Sequence, residues 1–149
     1  MKSMLPLFPL MRRIRHGLTL GVRVLATDAG QRLLLVQHTY APGWHLPGGG
    51  VDIGESAAAA AVRELKEEAN AEPVGPLELH GVFFNPRVGG RDHVVCYRAA
   101  VTASPPTQPG LEIRAADFFP LEDLPDGVTP GTLRRIAEWR ARLPLSEEW

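Results

Sequence analysis

Two runs near the start of the chain are dense in aliphatic and β-branched residues: Leu18–Thr27 (LTLGVRVLAT) and Arg32–His38 (RLLLVQH). Asp28-Ala29-Gly30 between them is turn chemistry, so the pair predicts a β-hairpin. The pattern then changes period. Ser56 is a helix N-cap residue followed by Ala57–Ala61, a run of the strongest helix former, and then by VRELKEEA. Set at about 100° per residue, Val62, Leu65 and Ala69, with Ala58 one turn earlier, form an apolar stripe for packing. Glu64, Glu67 and Glu68 fall within about 100° of one another on a different face. Pro73 and Pro76 end the helical pattern. Leu77–Phe84 (LELHGVFF) and His93–Thr102 (HVVCYRAAVT) read as strands on either side of a loop at Asn85–Arg91.

Ala103–Gly110 (ASPPTQPG) reads as a flexible connection, and Cys96 inside its apolar run as a small buried residue. Thr132–Leu143 predicts a closing amphipathic helix that packs through Leu133, Ile136, Ala137 and Trp139 or Ala141. No repeat or second domain interrupts this order. Strands arranged around one loop–helix unit imply a layered α+β domain over 17–149, with 1–16 as an N-terminal extension.

Composition narrows the classes. A chain of 149 residues with 44% hydrophobic and 22% charged residues can bury a core as one domain. Its formal net charge of −1 gives no basic excess, so no stable nucleic-acid complex is expected. Cys96 is the only cysteine, which excludes an internal disulfide and fits a cytoplasmic location. The first fifteen residues, MKSMLPLFPLMRRIR, are too short and too interrupted by proline for a signal peptide or a membrane span. No membrane partner is expected.

The carboxylate face is the candidate chemistry. Like charges at i,i+4, such as Glu64 and Glu68, oppose helix formation by roughly 0.2–0.5 kcal/mol, and Lys66 projects to the opposite side. A solvated acidic face is the plain explanation. Hard oxygen ligands gathered on one face also suit Mg²⁺ or Mn²⁺, which retain waters that a phosphate substrate displaces. Ahead of the helix, Gly48-Gly49-Gly50 follows Trp44-His45-Leu46-Pro47. Such a run is either a tight turn or a place where backbone approaches a phosphate or metal. Trp44 is either a core anchor or a base-stacking platform. Glu55 favours the helix N-terminus or pairs with Arg63.

Gly49, Glu55, Arg63, Glu64, Leu65, Glu67 and Glu68 match, in spacing and type, the pattern G-x5-E-x7-R-E-U-x-E-E-x-G-U, where U is bulky and apolar. The chain thereby resembles the Nudix hydrolases. Asn70 replaces the closing glycine and Ala71 the final aliphatic residue. Asn is the residue next best able to end a helix in a left-handed conformation, so neither departure removes a ligand.

The resemblance implies a mixed β-sheet sandwiched between helices in α/β/α layers. It further implies a pyrophosphohydrolase that uses Mg²⁺ or Mn²⁺ to cleave a diphosphate linkage in a nucleotide sugar, ADP-ribose or a related nucleotide. The implied metal ligands are Glu64, Glu67, Glu68 and the Gly48 carbonyl, with Arg63 and Glu55 bracing the loop against the helix. Glu112, ahead of an aromatic strand, resembles an acidic loop residue that approaches the metal as ligand or general base; an exposed loop glutamate is the alternative. The base is Glu67 or Glu112. Gly49, Gly50, Trp44, His38 and Arg87 are the remaining substrate-binding candidates. Two other readings stand: a non-catalytic nucleotide sensor, and an RNA 5′-end pyrophosphohydrolase. Dimers are common in the family, which allows a homodimer.

Overall fold

The computed structural model describes residues 11, 15–102 and 110–149. Most of the N-terminal extension (1–16) and of the connection at 103–110 therefore lies outside the described residues. Strands β1 (Thr19–Thr27), β2 (Leu33–His38), β3 (Gly48–Gly50), β4 (Glu78–Asn85), β5 (Asp92–Ala100) and β6 (Ile113–Phe119) form one mixed sheet. Its order is β4-β5-β1-β2-β6, with β3 paired to β1. Helices α1 (Ala57–Ala69) and α2 (Pro130–Ala141) complete the fold.

The β1–β5 pairing is parallel, Thr19 to Thr27 against Asp92 to Ala100, while the other strand pairs are antiparallel. After the single pair Thr27–Leu33, β2 leaves β1 and the segment leading into β3 fills the gap. The backbone closes it through Val36–His45 and Val24 N–H donating to the Pro47 carbonyl at 2.9 Å. The split opens the sheet beside the glycine run.

Alternation along β1 sends Val22, Val24 and Ala26 to one face, where Ala60, Ala61, Leu65 and Ala69 of α1 cover them. Leu25 faces the other way and packs with Leu33, Leu35, Leu46, Phe83, Cys96 and Ile136 of α2. The sheet thus sits between two helical layers, as expected. Cys96 is buried and free.

Both helix stripes differ from their predicted form. In α1, Val62 and Ala58 are exposed, and the packing face runs through Ala60, Ala61, Leu65, Glu68 and Ala69. Alanines at 60, 61 and 69 let α1 lie close on the sheet, with the larger Leu65 side chain buried among them. In α2, Leu133, Ala137 and Ala141 are exposed, whereas Arg135 and Glu138 are buried beside Ile136. Arg135 is fully buried; its guanidinium donates to both oxygens of Glu138 at 2.7 Å and lies 3.7 Å from the Phe83 ring centroid. Charge paired this completely behaves as core. Among the described residues, no helix is long and apolar enough to cross a membrane.

Candidate active site

The site is built where β3 meets α1. Gly48–Gly50 is a strand rather than a turn, pairing with Arg23, Val22 and Gly21 of β1. The turn comes later, at Asp52–Glu55, where Gly54 has φ 80° and Glu55 N–H donates to the Asp52 carbonyl at 3.1 Å. Side chains are excluded from β3 for two reasons. A Cβ on Gly48 would strike the Val22 backbone, 2.8 Å from its carbonyl carbon, and Gly48 also holds φ 154°. A Cβ on Gly49 would occupy the place of the Glu64 carboxylate, 2.8 Å from its Cδ. The glycines let α1 press its carboxylates onto the strand.

Helix α1 begins where Ser56 accepts a hydrogen bond from Ala59 N–H at 3.1 Å. It ends at Asn70, which takes the left-handed conformation (φ 49°, ψ 34°) expected of it, with Ala71 buried beneath. Arg63 then organises the acidic face. It donates to both oxygens of Glu55 (2.8 and 2.9 Å), to the Gly50 carbonyl (3.0 Å), to Glu64 (2.9 Å) and to Glu67 (3.2 Å). Asp52 lies 3.7 Å away. The Arg63 hydrogen bonds hold the Glu55 carboxyl at about 2, well below the ordinary range. Those same bonds push the Arg63 guanidinium further up. Glu64 moves the other way: burial raises it, and the Glu68 charge adds to that against Arg63.

Glu68 is nearly closed off, with 7% of its surface exposed. One oxygen accepts the Gly48 N–H at 3.1 Å, and the other lies 3.2 Å from His38 Nε2. Glu64, Glu67, Glu68 and Glu112 line one cavity of about 360 Å³ with Gly110, Leu111 and Ile113. Glu112 is therefore beside the helix carboxylates, brought there because Thr39 N–H donates to its carbonyl at 2.9 Å.

A second cavity, of about 780 Å³, is basic: Arg23, Arg87 and Arg134 line it with His45, Asn85 and Trp149. Arg23 links the two regions, donating to the carbonyls of Leu46 (2.9 Å) and Gly48 (3.4 Å). His45 does so as well, its ring 5.2 Å from that of His38. Burial lowers the His45 imidazole, so it favours the neutral form. Trp149 reaches this cavity because backbone bonds between Phe84 and residues 147 and 149 hold the chain's last residues against β4. Its indole packs over Gly131, where a Cβ would come within 2.9 Å of Trp149 Cδ1.

The structure thus brings together Gly48, Gly49, Gly50, Glu55, Arg63, Glu64, Glu67, Glu68 and Glu112, and places Arg87 in the neighbouring basic cavity. Trp44 packs into the α2-side core, 4.9 Å from the Phe119 ring, and His38 is buried against Glu68. Arg23, His45, Arg134 and Trp149 were missed by pattern reading. Arg23 alone left a signal, a cation in the middle of an apolar strand.

Hard oxygen donors around a glycine-lined strand fit a divalent cation such as Mg²⁺ or Mn²⁺. Among the described residues, however, no three His, Cys, Asp or Glu side chains form a finished cage. Arg63 and His38 hold the carboxylates instead.

The NUDIX domain family model matches residues 17–140. A putative 8-oxo-dGTP diphosphatase of Bacillus subtilis is 31% identical over 122 residues, covering 82% of this chain and 80% of its own length. The crystal structure of a MutT NUDIX hydrolase from Burkholderia pseudomallei superposes with a TM-score of 0.67 at 28% identity, over 79% of this chain and 95% of that one. The NUDIX domain of Shewanella oneidensis NrtR, solved with ADP ribose, superposes with a TM-score of 0.70 at 26% identity, over 86% and 90%.

Proposed function

We propose, from the premise that the chain belongs to the Nudix hydrolase family and acts on phosphoric anhydride bonds, that it is a divalent-metal-dependent pyrophosphohydrolase of a nucleoside diphosphate carrying a further group. The observation that supports this is the pairing of the two cavities. One offers four carboxylates for cations and a diphosphate; the other offers arginines and Trp149 for the nucleotide, and its Arg23 bonds the Gly48 carbonyl.

Glu64, Glu67, Glu68 and the Gly48 carbonyl would hold Mg²⁺ or Mn²⁺, which when bound supplies charge neutralisation of the diphosphate and an acidified water. This chain's own residues do the rest. Arg63 and Glu55 fix α1 to β3, so the carboxylates keep their places. Arg23, on the wall of the basic cavity and bonded to the Gly48 carbonyl, would orient the phosphate chain for in-line displacement. Glu67 and Glu112 are the cavity carboxylates open to solvent, and one of them accepts the proton. Glu55, Glu64, Glu67 and Glu68, the carboxylates of the family pattern, are all present, which favours catalysis over a silent sensor.

The test is product release from a panel of ADP-ribose, nucleotide sugars, dinucleoside polyphosphates and 8-oxo-dGTP, with Mg²⁺ or Mn²⁺. Turnover that requires metal and is lost in Glu67→Gln supports the reading, and the best substrate names the subclass. Nucleotide binding without turnover on any of these compounds would oppose it.

A further inference from the structure

The ladder between β2 and β6 slips by one residue at Gln37/His38, a β-bulge. The extra residue, Arg114, lies on β6, so β6 is the bulged strand and β2 keeps its alternation. His38 therefore falls on the α1 face with Leu34, and only 4% of it is exposed. Just beyond it, Thr39 is seated against Leu111 and Glu112. His38 then faces Glu68 at 3.2 Å, in contact with Tyr40 (ring centroids 5.0 Å) and His45 (5.2 Å). Neighbours on two sides fix the ring plane.

An ionised Glu68 only accepts, so the imidazole donates from Nε2. The other Glu68 oxygen takes the Gly48 N–H. The carboxylate is therefore tied at both ends, once to β2 and once to the strand whose carbonyl lies beside Arg23. Held this way, the carboxylate loses its rotational freedom before any cation arrives. Outer partners of this kind orient metal ligands, and their removal weakens metal binding by about 10–100-fold.

We infer that His38 is a positioning residue, placed on the α1 face by the alternation of β2 to hold the Glu68 carboxylate in its cation-binding orientation. The inference rests on the proposed metal site and assigns His38 no contact with substrate. It accounts for an imidazole buried beside a cavity that it does not line.

The amides of Gln and Asn separate this from a purely structural role. Gln places a donor near the Nε2 position, whereas Asn places it near Nδ1, short of Glu68. Mn²⁺ is titrated into the wild type, His38→Gln and His38→Asn, with free ion followed by electron paramagnetic resonance and stability by thermal melting. The expected result is a 10–100-fold weaker affinity for His38→Asn and a value within about threefold of wild type for His38→Gln. An Asn variant that binds like wild type overturns the inference, as does equal weakening of both. Loss of Mn²⁺ binding by the wild type itself, or its survival unchanged in Glu68→Gln, would instead overturn the metal site on which the inference rests.

Discussion

Two charged clusters sit on the two helices, and they are arranged in opposite ways. On α2, Glu138 accepts two bonds from Arg135, His80 Nε2 adds a third contact at 3.1 Å, and Ser146 N–H a fourth at 3.0 Å, while Arg135 also donates to the Glu148 carbonyl. Burial works to raise the Glu138 carboxyl, yet the Arg135 bonds and the others hold it below its usual range. That cluster is balanced and closed. On α1, one guanidinium is shared by Glu55, Glu64 and Glu67, with Glu68 and Glu112 alongside on a cavity. Negative charge there exceeds what the protein neutralises. A balanced buried cluster has a fold to hold, while an unbalanced one on a cavity has a cation to wait for.

The largest effect that should separate the two comes from α1. Glu67 is more than half exposed, so Glu67→Gln is expected to keep the melting temperature and to lower kcat by about 100-fold or more. Steady-state kinetics with the best panel substrate, beside a thermal melt, checks both halves. The mirror experiment removes a charge from α2. Arg135→Met strands a buried carboxylate, and denaturant unfolding should show about 3–5 kcal/mol of lost stability. Mn²⁺ affinity of the folded fraction should stay unchanged, since Arg135 lies on the opposite side of the sheet. If that affinity fell with the stability, the two clusters would not be independent.

Acid sharpens the comparison further. The Glu55 carboxyl is held at about 2 against an ordinary 4.5. A depressed carboxylate stabilises the fold fully above its unfolded value and less as pH falls through its folded one. The wild type should therefore melt above Glu55→Gln at neutral pH, and that margin should shrink between about pH 4.5 and 2. A margin that grew toward acid would place the brace elsewhere. The smallest effect is the cap. Ser56→Ala should cost about 1 kcal/mol in denaturant unfolding and leave the metal affinity in place.

How much of this was legible depended on what carries each feature. Glu64, Glu67 and Glu68 share a face because of the helical period, and Asn70 ends the helix because of its own backbone tolerance. Both properties are written locally in the chain. The meeting of His38 with Glu68 is not, because it arises between β2 and α1, and the sequence offered His38 only as a substrate-binding candidate. The triple glycine left a tight turn and a close backbone approach both open, since its pairing with β1 is equally non-local. Arg135 and Glu138 occupy positions that a hydrophobic count assigns to water, and only their mutual pairing lets them be buried. Leu133 was assigned to the core by the same count and is exposed. Trp149 reaches the basic cavity through backbone bonds to Phe84, which no motif announces.

The most direct measurement is an anomalous-difference map from crystals soaked in Mn²⁺. The account predicts density among Glu64, Glu67, Glu68 and the Gly48 carbonyl, with the Arg63 guanidinium drawn back from Glu67. Density elsewhere, with Arg63 still bonded to both Glu64 and Glu67 at saturating Mn²⁺, would contradict it.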